Sequence, residues 1–260
     1  MLLADLIHAY EQIVPLDLSL PSDRNGLKTG TLEQDVQNVL GCLELTPEVA
    51  TYAIEQDVDC VFVHHDPFYV PLRDLRADNV HAQTILQLVA HNIALYVSHT
   101  NLDVVQHGLN DYLFTLLGAQ AADVLDPLTG IGRFGTLPQA MSLASYIETF
   151  VRPIQSQFRV STHDMNKSIE HIAVVSGAGA SYLTLAREVP VDLFITGDID
   201  YHTAMLAREY DLPVIDLGHD AEHVVSTVFA QIFERIQAES GEHLTIIDAE
   251  SFNFCPWENL

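Results

Sequence analysis

Two long stretches of this 260-residue chain repeat one order: an apolar run of strand length, a polar residue at its carboxyl end, then a segment with helical patterning. Strands that alternate with helices in this way build α/β architecture, because each buried strand needs a helix to cover it. In the first stretch, VDCVFVHH (58–65) and IALYVSHT (93–100) read as buried strands, with helices expected over 46–56, 79–91 and 107–118. Thr46 and Pro47 form a clear helix start, a hydroxyl cap followed by a proline at the first helical position. Residues 1–14 read as an amphipathic helix ended by Pro15, 19–30 as a polar loop, and 32–40 as an exposed helix. In the second stretch the strands are EHIAVVSG (170–177), VDLFITGD (191–198) and LPVIDLGH (212–219), with helices over 180–187, 201–210 and 221–237 and a last strand, LTIIDAE (244–250). The glycine- and proline-rich DPLTGIGRFGTLP (126–138) marks a boundary. The expected division is a first α/β domain at 1–128, completed by 240–260, and a second at 129–239.

Composition narrows the class. Hydrophobic residues make up 48% of the chain, enough for a substantial core. Eleven Lys and Arg stand against 36 Asp and Glu, a formal net charge of -25, and such a surface repels the phosphate backbone of nucleic acids. No apolar run reaches the length of a membrane span. The opening MLLADLIHAYEQIV lacks the basic start and unbroken apolar core of a secretion signal, so a cytoplasmic location is expected. The three cysteines, Cys42, Cys60 and Cys255, are odd in number and widely spaced, so any metal must be held by nitrogen and oxygen ligands.

Polar clusters fall at strand carboxyl ends, where α/β sheets gather ligands. His64 and His65 end one strand; adjacent side chains in an extended segment point opposite ways, so joint ligation requires a bend there or two metals side by side. SHTNLD (98–103) offers His99 and Asp103, with His99 open to three roles: ligand, support for a ligand, or proton carrier. GHDAEH (218–223) offers His219, Glu222 and His223; positions 219 and 223 share a face if the helix begins early, and Glu222 lies three residues from His219. In TGDIDYH (196–202), Asp198 and Asp200 suit a helix cap at least as well as a chemical role. The GAGAS turn (177–181) lacks the residues of a nucleotide-binding loop and reads as tight packing.

In order along the chain, SDRNGLKTG, VHHDPF, SHTNLDVVQHGLND, AVVSGAGAS, FITGDIDYH and DLGHDAEH resemble the NIF3-like family, also labelled GTP cyclohydrolase 1 type 2 homologues. The resemblance spans about residues 22 to 223. It implies a NIF3-like fold of two interlocked α/β domains with a dinuclear metal site in the cleft between them, and a ring-shaped homohexamer. It assigns His64, His65, Asp103 and His219 as ligands. The family usually carries a glutamate four residues after the late histidine; here that position is His223, and the glutamate stands one residue earlier at Glu222. Both therefore stand as alternatives for the last ligand. The implied cofactor is one or two divalent transition ions per chain, from Zn, Fe, Mn, Co or Ni. The expected chemistry is metal-dependent hydrolysis of a nucleotide such as GTP, as the family label implies, or of a phosphoester; His99, a short step from Asp103 in the chain, is the candidate acid or base. The alternative is a non-catalytic metal-binding or regulatory scaffold.

Overall fold

The alternation is present as two sheets, each in its own unit of chain, in a computed structural model that describes residues 1–249, Phe252 and Pro256. Glu250 of the expected last strand and Cys255 lie outside the described residues. One unit comprises Met1–Val105 and His223–Leu260; the other comprises Gln106–Glu222.

The first unit contains strands β1 (Gly26–Thr29), β2 (Asn38–Cys42), β3 (Cys60–Val63), β4 (Ala94–Val97) and β11 (Thr245–Ile247). Its helices are α1 (Leu3–Ile13), α2 (Pro47–Glu55), α3 (Val80–Ala90), α4 (Thr100–Val104) and α9 (Val225–Ser240). The strand order is β1-β4-β3-β2-β11, parallel throughout except for β1, which runs antiparallel to β4 at the edge. Strand alternation divides the side chains between two faces. Val61, Val63, Leu95 and Val97 pack with Val49, Ala53, Ile85 and Leu88 of α2 and α3. Phe62 and Tyr96 point the other way, into an aromatic cluster with Tyr10 of α1 and Phe229 and Phe233 of α9; Phe62 lies 4.9 Å from Tyr10 and 5.0 Å from Phe233, ring centre to ring centre.

Gly41 of β2 is where α9 meets the sheet. A Cβ there would stand 2.3 Å from the Phe229 Cβ, and Phe229 is fully buried. Gly41→Ala therefore forces α9 off the strand. The expected loss is about 1–3 kcal/mol, the usual cost of overpacking, read as a lowered thermal midpoint. An unchanged midpoint would show that α9 does not depend on this close approach.

The second unit contains β5 (Gln120–Val124), β6 (Arg133–Ser142), β7 (Arg159–Ser161), β8 (Ser168–Ala178), β9 (Leu193–Gly197) and β10 (Val214–Asp216). Its helices are α5 (Leu109–Leu116), α6 (Leu143–Tyr146), α7 (Leu183–Glu188) and α8 (Tyr201–Glu209). The strand order is β5-β6-β8-β9-β10-β7, with β8, β9 and β10 parallel and the other pairings antiparallel. Tyr146, Ile172, Val174, Leu193, Ile195 and Ile215 lie in its core.

Several expectations need correction. Residues 32–40 do not form a helix: a turn at 32–33 leads into β2, whose start is held by the Asp59 carboxylate accepting from the Gln37 and Asn38 amides, each at 2.8 Å. The polar loop 19–30 ends in β1. Strand β6 runs through the segment read as a domain boundary; its pairing with β8 shifts register between Thr136 and Met141, where Pro138 interrupts the ladder. The division of the chain also falls elsewhere than at 128 and 240. Helix α5 and strand β5 pack with β6 and β8, so the first crossing is at Val105/Gln106. Helix α9 packs on β2, which moves the return to Glu222/His223. No helix among the described residues is long and apolar enough to cross a membrane.

Candidate metal centre

In the first unit the parallel pairing of β3 with β4 sets Val63 opposite Val97, so the next residues, His64 and Ser98, emerge side by side. His64 is wholly buried, and its Nδ1 lies 3.0 Å from the Ser98 carbonyl oxygen. A carbonyl only accepts, so Nδ1 carries the proton and, in the neutral ring, Nε2 carries the lone pair. Nε2 is 3.6 Å from Asp103 Oδ1. Asp103 sits in the short helix α4 and is itself buried.

The chain bends directly after β3, which meets the geometric condition set by two adjacent histidines. The ring centres of His64 and His65 are 5.1 Å apart, and His99 stands 5.1 Å from His64 and 5.8 Å from His65. One nitrogen from each of the three lies within 4.8 Å of the others. His65 Nδ1 donates to Glu44 Oε1 at 2.6 Å, and His99 Nδ1 donates to Asp23 Oδ2 at 3.1 Å. Asp23 also accepts from the Thr100 amide at 3.0 Å and from its hydroxyl, while Asn25 Oδ1 accepts from the His99 amide at 3.1 Å. The 19–30 segment thus orients the His99 ring.

The Asp23 carboxyl is partly desolvated, which alone would raise its pKa. Its hydrogen bonds from His99 and Thr100 and the His99 charge outweigh that and bring it from 3.8 to about 2. Burial likewise lowers His99, but the Asp23 hydrogen bond and the Asp103 and Asp23 charges outweigh it and raise the imidazole above its usual 6.5. The signs oppose. The stabilisation from Asp23 is complete above its unfolded value of 3.8 and is lost as pH falls through about 2. That from His99 is complete below 6.5 and is lost as pH rises through its raised folded value. In chelator-treated protein, Asp23→Asn should cost roughly 1–2 kcal/mol between about pH 4 and 6.5, allowing for solvent screening. Thermal midpoints followed against pH should show the gap from wild type narrowing on both sides; a gap independent of pH would remove the ion pair from the account.

In the second unit His219 follows β10. Its Nδ1 donates to Asp198 Oδ2 at 2.7 Å, and its Nε2 lies 3.2 Å from Glu222 Oε2. Asp198 is held at a φ of 54° directly after β9. Residues 219–224 form a 3-10 turn, not the start of an α-helix. With three residues per turn, positions 219 and 222 eclipse, which sets Glu222 against His219 here. Glu222 is 3% exposed, lodged where a Cβ on Gly177 would come within 2.9 Å of Oε1. His223 is half-buried and, among the described residues, joins no group of three donor atoms close enough to share an ion.

The other clusters resolve into structural parts. Asp200 caps α8, accepting from the His202 and Thr203 amides at 2.7 and 3.1 Å. In the GAGAS turn the Gly179 amide donates to Thr196 Oγ1 at 2.9 Å, so that amide is occupied by packing as the sequence suggested. Glu44 and Asp23 were missed as individual residues. Asp23 lies within the SDRNGLKTG motif; Glu44 follows β2, the strand taken for a helix.

One pattern bears on metal. In His64, His65, His99 and His219, Nδ1 donates to an oxygen acceptor, so Nε2 is the ring nitrogen suited to coordination or proton transfer, and histidine ligands around metals commonly adopt this arrangement. In His64 and His219 that nitrogen faces a carboxylate oxygen. A lone pair and a carboxylate repel each other unless a proton or a cation lies close by. The residues present therefore fit a divalent transition ion, with nitrogen and oxygen donors and no thiolate.

The fold and these donors define an α/β protein with histidine–carboxylate clusters suited to divalent metals. The profile of the family Duf34/NIF3 (NGG1p interacting factor 3) matches residues 1–251. A relative from Streptococcus pneumoniae, described as a GTP cyclohydrolase 1 type 2 homolog, is 34% identical, with 96% of this chain and 97% of the relative aligned. Among solved structures, a Bacillus cereus protein related to NIF3 superposes with a TM-score of 0.94 at 20% identity, covering 100% of this chain and 99% of the other. Reduced HcgD from Methanocaldococcus jannaschii superposes with a TM-score of 0.80 at 27% identity, covering 95% and 97%. The chain belongs to the Duf34/NIF3 family.

Proposed function

We propose that this protein is a metal-dependent hydrolase with the ligand set His64, His65, Asp103, His219 and Glu222, binding one or two divalent transition ions. The observation that supports it most is the shared tautomer, with the histidine Nε2 nitrogens presented for coordination and two of them directed at carboxylates. Glu222 is preferred to His223 because it is buried beside His219. When bound, such an ion makes water nucleophilic near neutral pH and polarises the atom under attack.

The chain's own residues supply the rest. His99, with Nδ1 fixed on Asp23, offers Nε2 to take a proton from the nucleophile and return it to the leaving group. The Asp23 hydrogen bond and the Asp103 and Asp23 charges favour its protonated form and so raise its pKa above the usual 6.5. Glu44 holds the His65 ring and Asp198 the His219 ring. The relatives' description brings GTP as a candidate substrate, and metal-activated water extends the proposed class to other nucleotides and phosphoesters. A ring-shaped hexamer belongs to the same proposal and is read from light scattering as six times the chain mass.

Elemental analysis of purified protein should find one to two transition-metal ions per chain. Chelation should abolish turnover in a screen of GTP, other nucleotides and aryl phosphates, and added Zn, Fe, Mn, Co or Ni should restore it. Bound metal without turnover of any of these would favour the scaffold reading; absence of metal would remove both.

A further inference from the structure

A pocket of about 320 Å3 lies within the second unit, between α8 and the edge strand β7, among residues that the metal-site proposal does not use. This is the lower end of the range for small-molecule sites, about 300–1,000 Å3. Its apolar wall includes Ile199, Tyr201, Met205 and Val214. Tyr201 is 73% exposed and Met205 42%, an unusual position for two large side chains on an otherwise polar helix.

The charged lining consists of Arg159, Arg208, Asp200 and Asp216. Three of the four are engaged. Arg159 is paired with the buried Asp216 and donates to the Ile199 carbonyl at 2.9 Å. Asp216 further accepts from the amides of Ile199 at 3.2 Å and Gly218 at 3.0 Å. Asp200 is held by the first amides of α8 and the Thr203 hydroxyl. Arg208 differs: among the described residues its guanidinium bonds the His163 ring, at 2.9 Å from Nδ1, and no carboxylate. In a chain with 36 acids and eleven cations, an arginine at a pocket wall that forms no ion pair among the described residues keeps a guanidinium available to an anion.

From this we infer that the pocket is a binding site for a small organic monoanion: one carboxylate on an apolar, preferably aromatic, body. The carboxylate meets Arg208 in the two-pronged geometry that guanidinium groups offer. The body lies against Tyr201, Met205, Ile199 and Val214. One unmatched cation suits one negative charge, while a polyphosphate would bring its excess charge against Asp200 and Asp216. The site is independent of the metal reading. Asp216 nevertheless ties its wall to Gly218, the residue before His219, so an occupant would sit beside the segment that carries that histidine.

The test uses the whole chain with its methionine methyls 13C-labelled; Met205 lines the pocket, while Met1, Met141 and Met165 serve as internal controls. Sodium 3-phenylpropionate is titrated at pH 7, with 3-phenylpropionamide as the uncharged match. The expected result is a saturable shift of the Met205 methyl with the acid, weakened at least tenfold with the amide and at least tenfold in Arg208→Gln. Arg208 is exposed, so that variant keeps the fold, and unchanged Met141 signals verify it. No saturable shift, an equal response to the amide, or an undiminished response in Arg208→Gln overturns the assignment.

Discussion

Replacing His64 and Asp103 together with Ala is expected to leave less than about a tenth of the wild-type metal per chain while the protein stays folded. Outer-shell partners of metal ligands typically cost about 10–100-fold in affinity, and removing two proposed ligands should exceed that. The fold should survive because neither side chain sets the sheet. The register of β3 on β4 is made by backbone bonds and by Val61, Val63, Leu95 and Val97, all of which remain. The loss of the His64 ring leaves the Ser98 carbonyl without its donor and opens space in a buried region, a cost of about 1–3 kcal/mol for the acceptor alone. Each change also relieves something in the metal-free protein, since His64 Nε2 and Asp103 Oδ1 face each other at 3.6 Å. Elemental analysis and far-UV circular dichroism on the same sample read both halves of the expectation. Metal content equal to wild type in a folded variant would show that the ion, if any, sits elsewhere.

The sequence exposed the strands that matter most for this site because they are buried on both faces. VDCVFV and IALYV are nearly unbroken apolar runs, as central parallel strands require, and the histidines at their ends follow from the chain order. Strands with mixed surroundings were hidden. β2 is short, contains Gly41, and follows a polar segment whose spacing imitates a helix; its strand character is settled by Asp59, β3 and Phe229, all distant in sequence. Losing β2 also concealed Glu44, which orients His65 from just beyond that strand. β6 was hidden by Gly135 and Pro138, which imitate a linker; Gly135 pairs in register with Ile172, and Pro138 falls within a register shift. Without β6, the helix and strand before it had no visible partner, and the division of the chain was drawn too late. The histidines of the candidate site were legible because their residue types are uncommon together; the carboxylates that hold their rings were not, because single acids are plentiful in a chain with 36 of them.

The second large effect separates two neighbouring residues. Glu222→Ala is expected to lower metal affinity by more than about tenfold, within or beyond the range for groups that hold or orient a ligand, whereas His223→Ala should leave it within about twofold. The reason is the helical type of six residues. An α-helix starting at His219 would turn His223 onto its face, as spacing alone suggests. The 3-10 turn over His219–Val224 instead eclipses positions 219 and 222, and the Glu222 oxygens lie against Gly177 and His219. Gly177, at a φ of 56°, keeps the space that the carboxylate occupies. On the proposed reading, the carboxylate comes one residue earlier than the spacing expected from the family, brought beside His219 by the tighter turn. A carboxylate can bridge two ions where a neutral imidazole cannot, so the preference for Glu222 keeps a two-metal site chemically open to this chain. Glu222→Gln serves as the conservative variant, keeping the shape while removing the charge; affinity as low as in Glu222→Ala would assign the effect to charge. Isothermal titration of the chelated protein with Zn measures all three variants against wild type. If His223→Ala loses binding and Glu222→Ala retains it, the turn is α-helical in the metal-bound protein and His223 is the ligand.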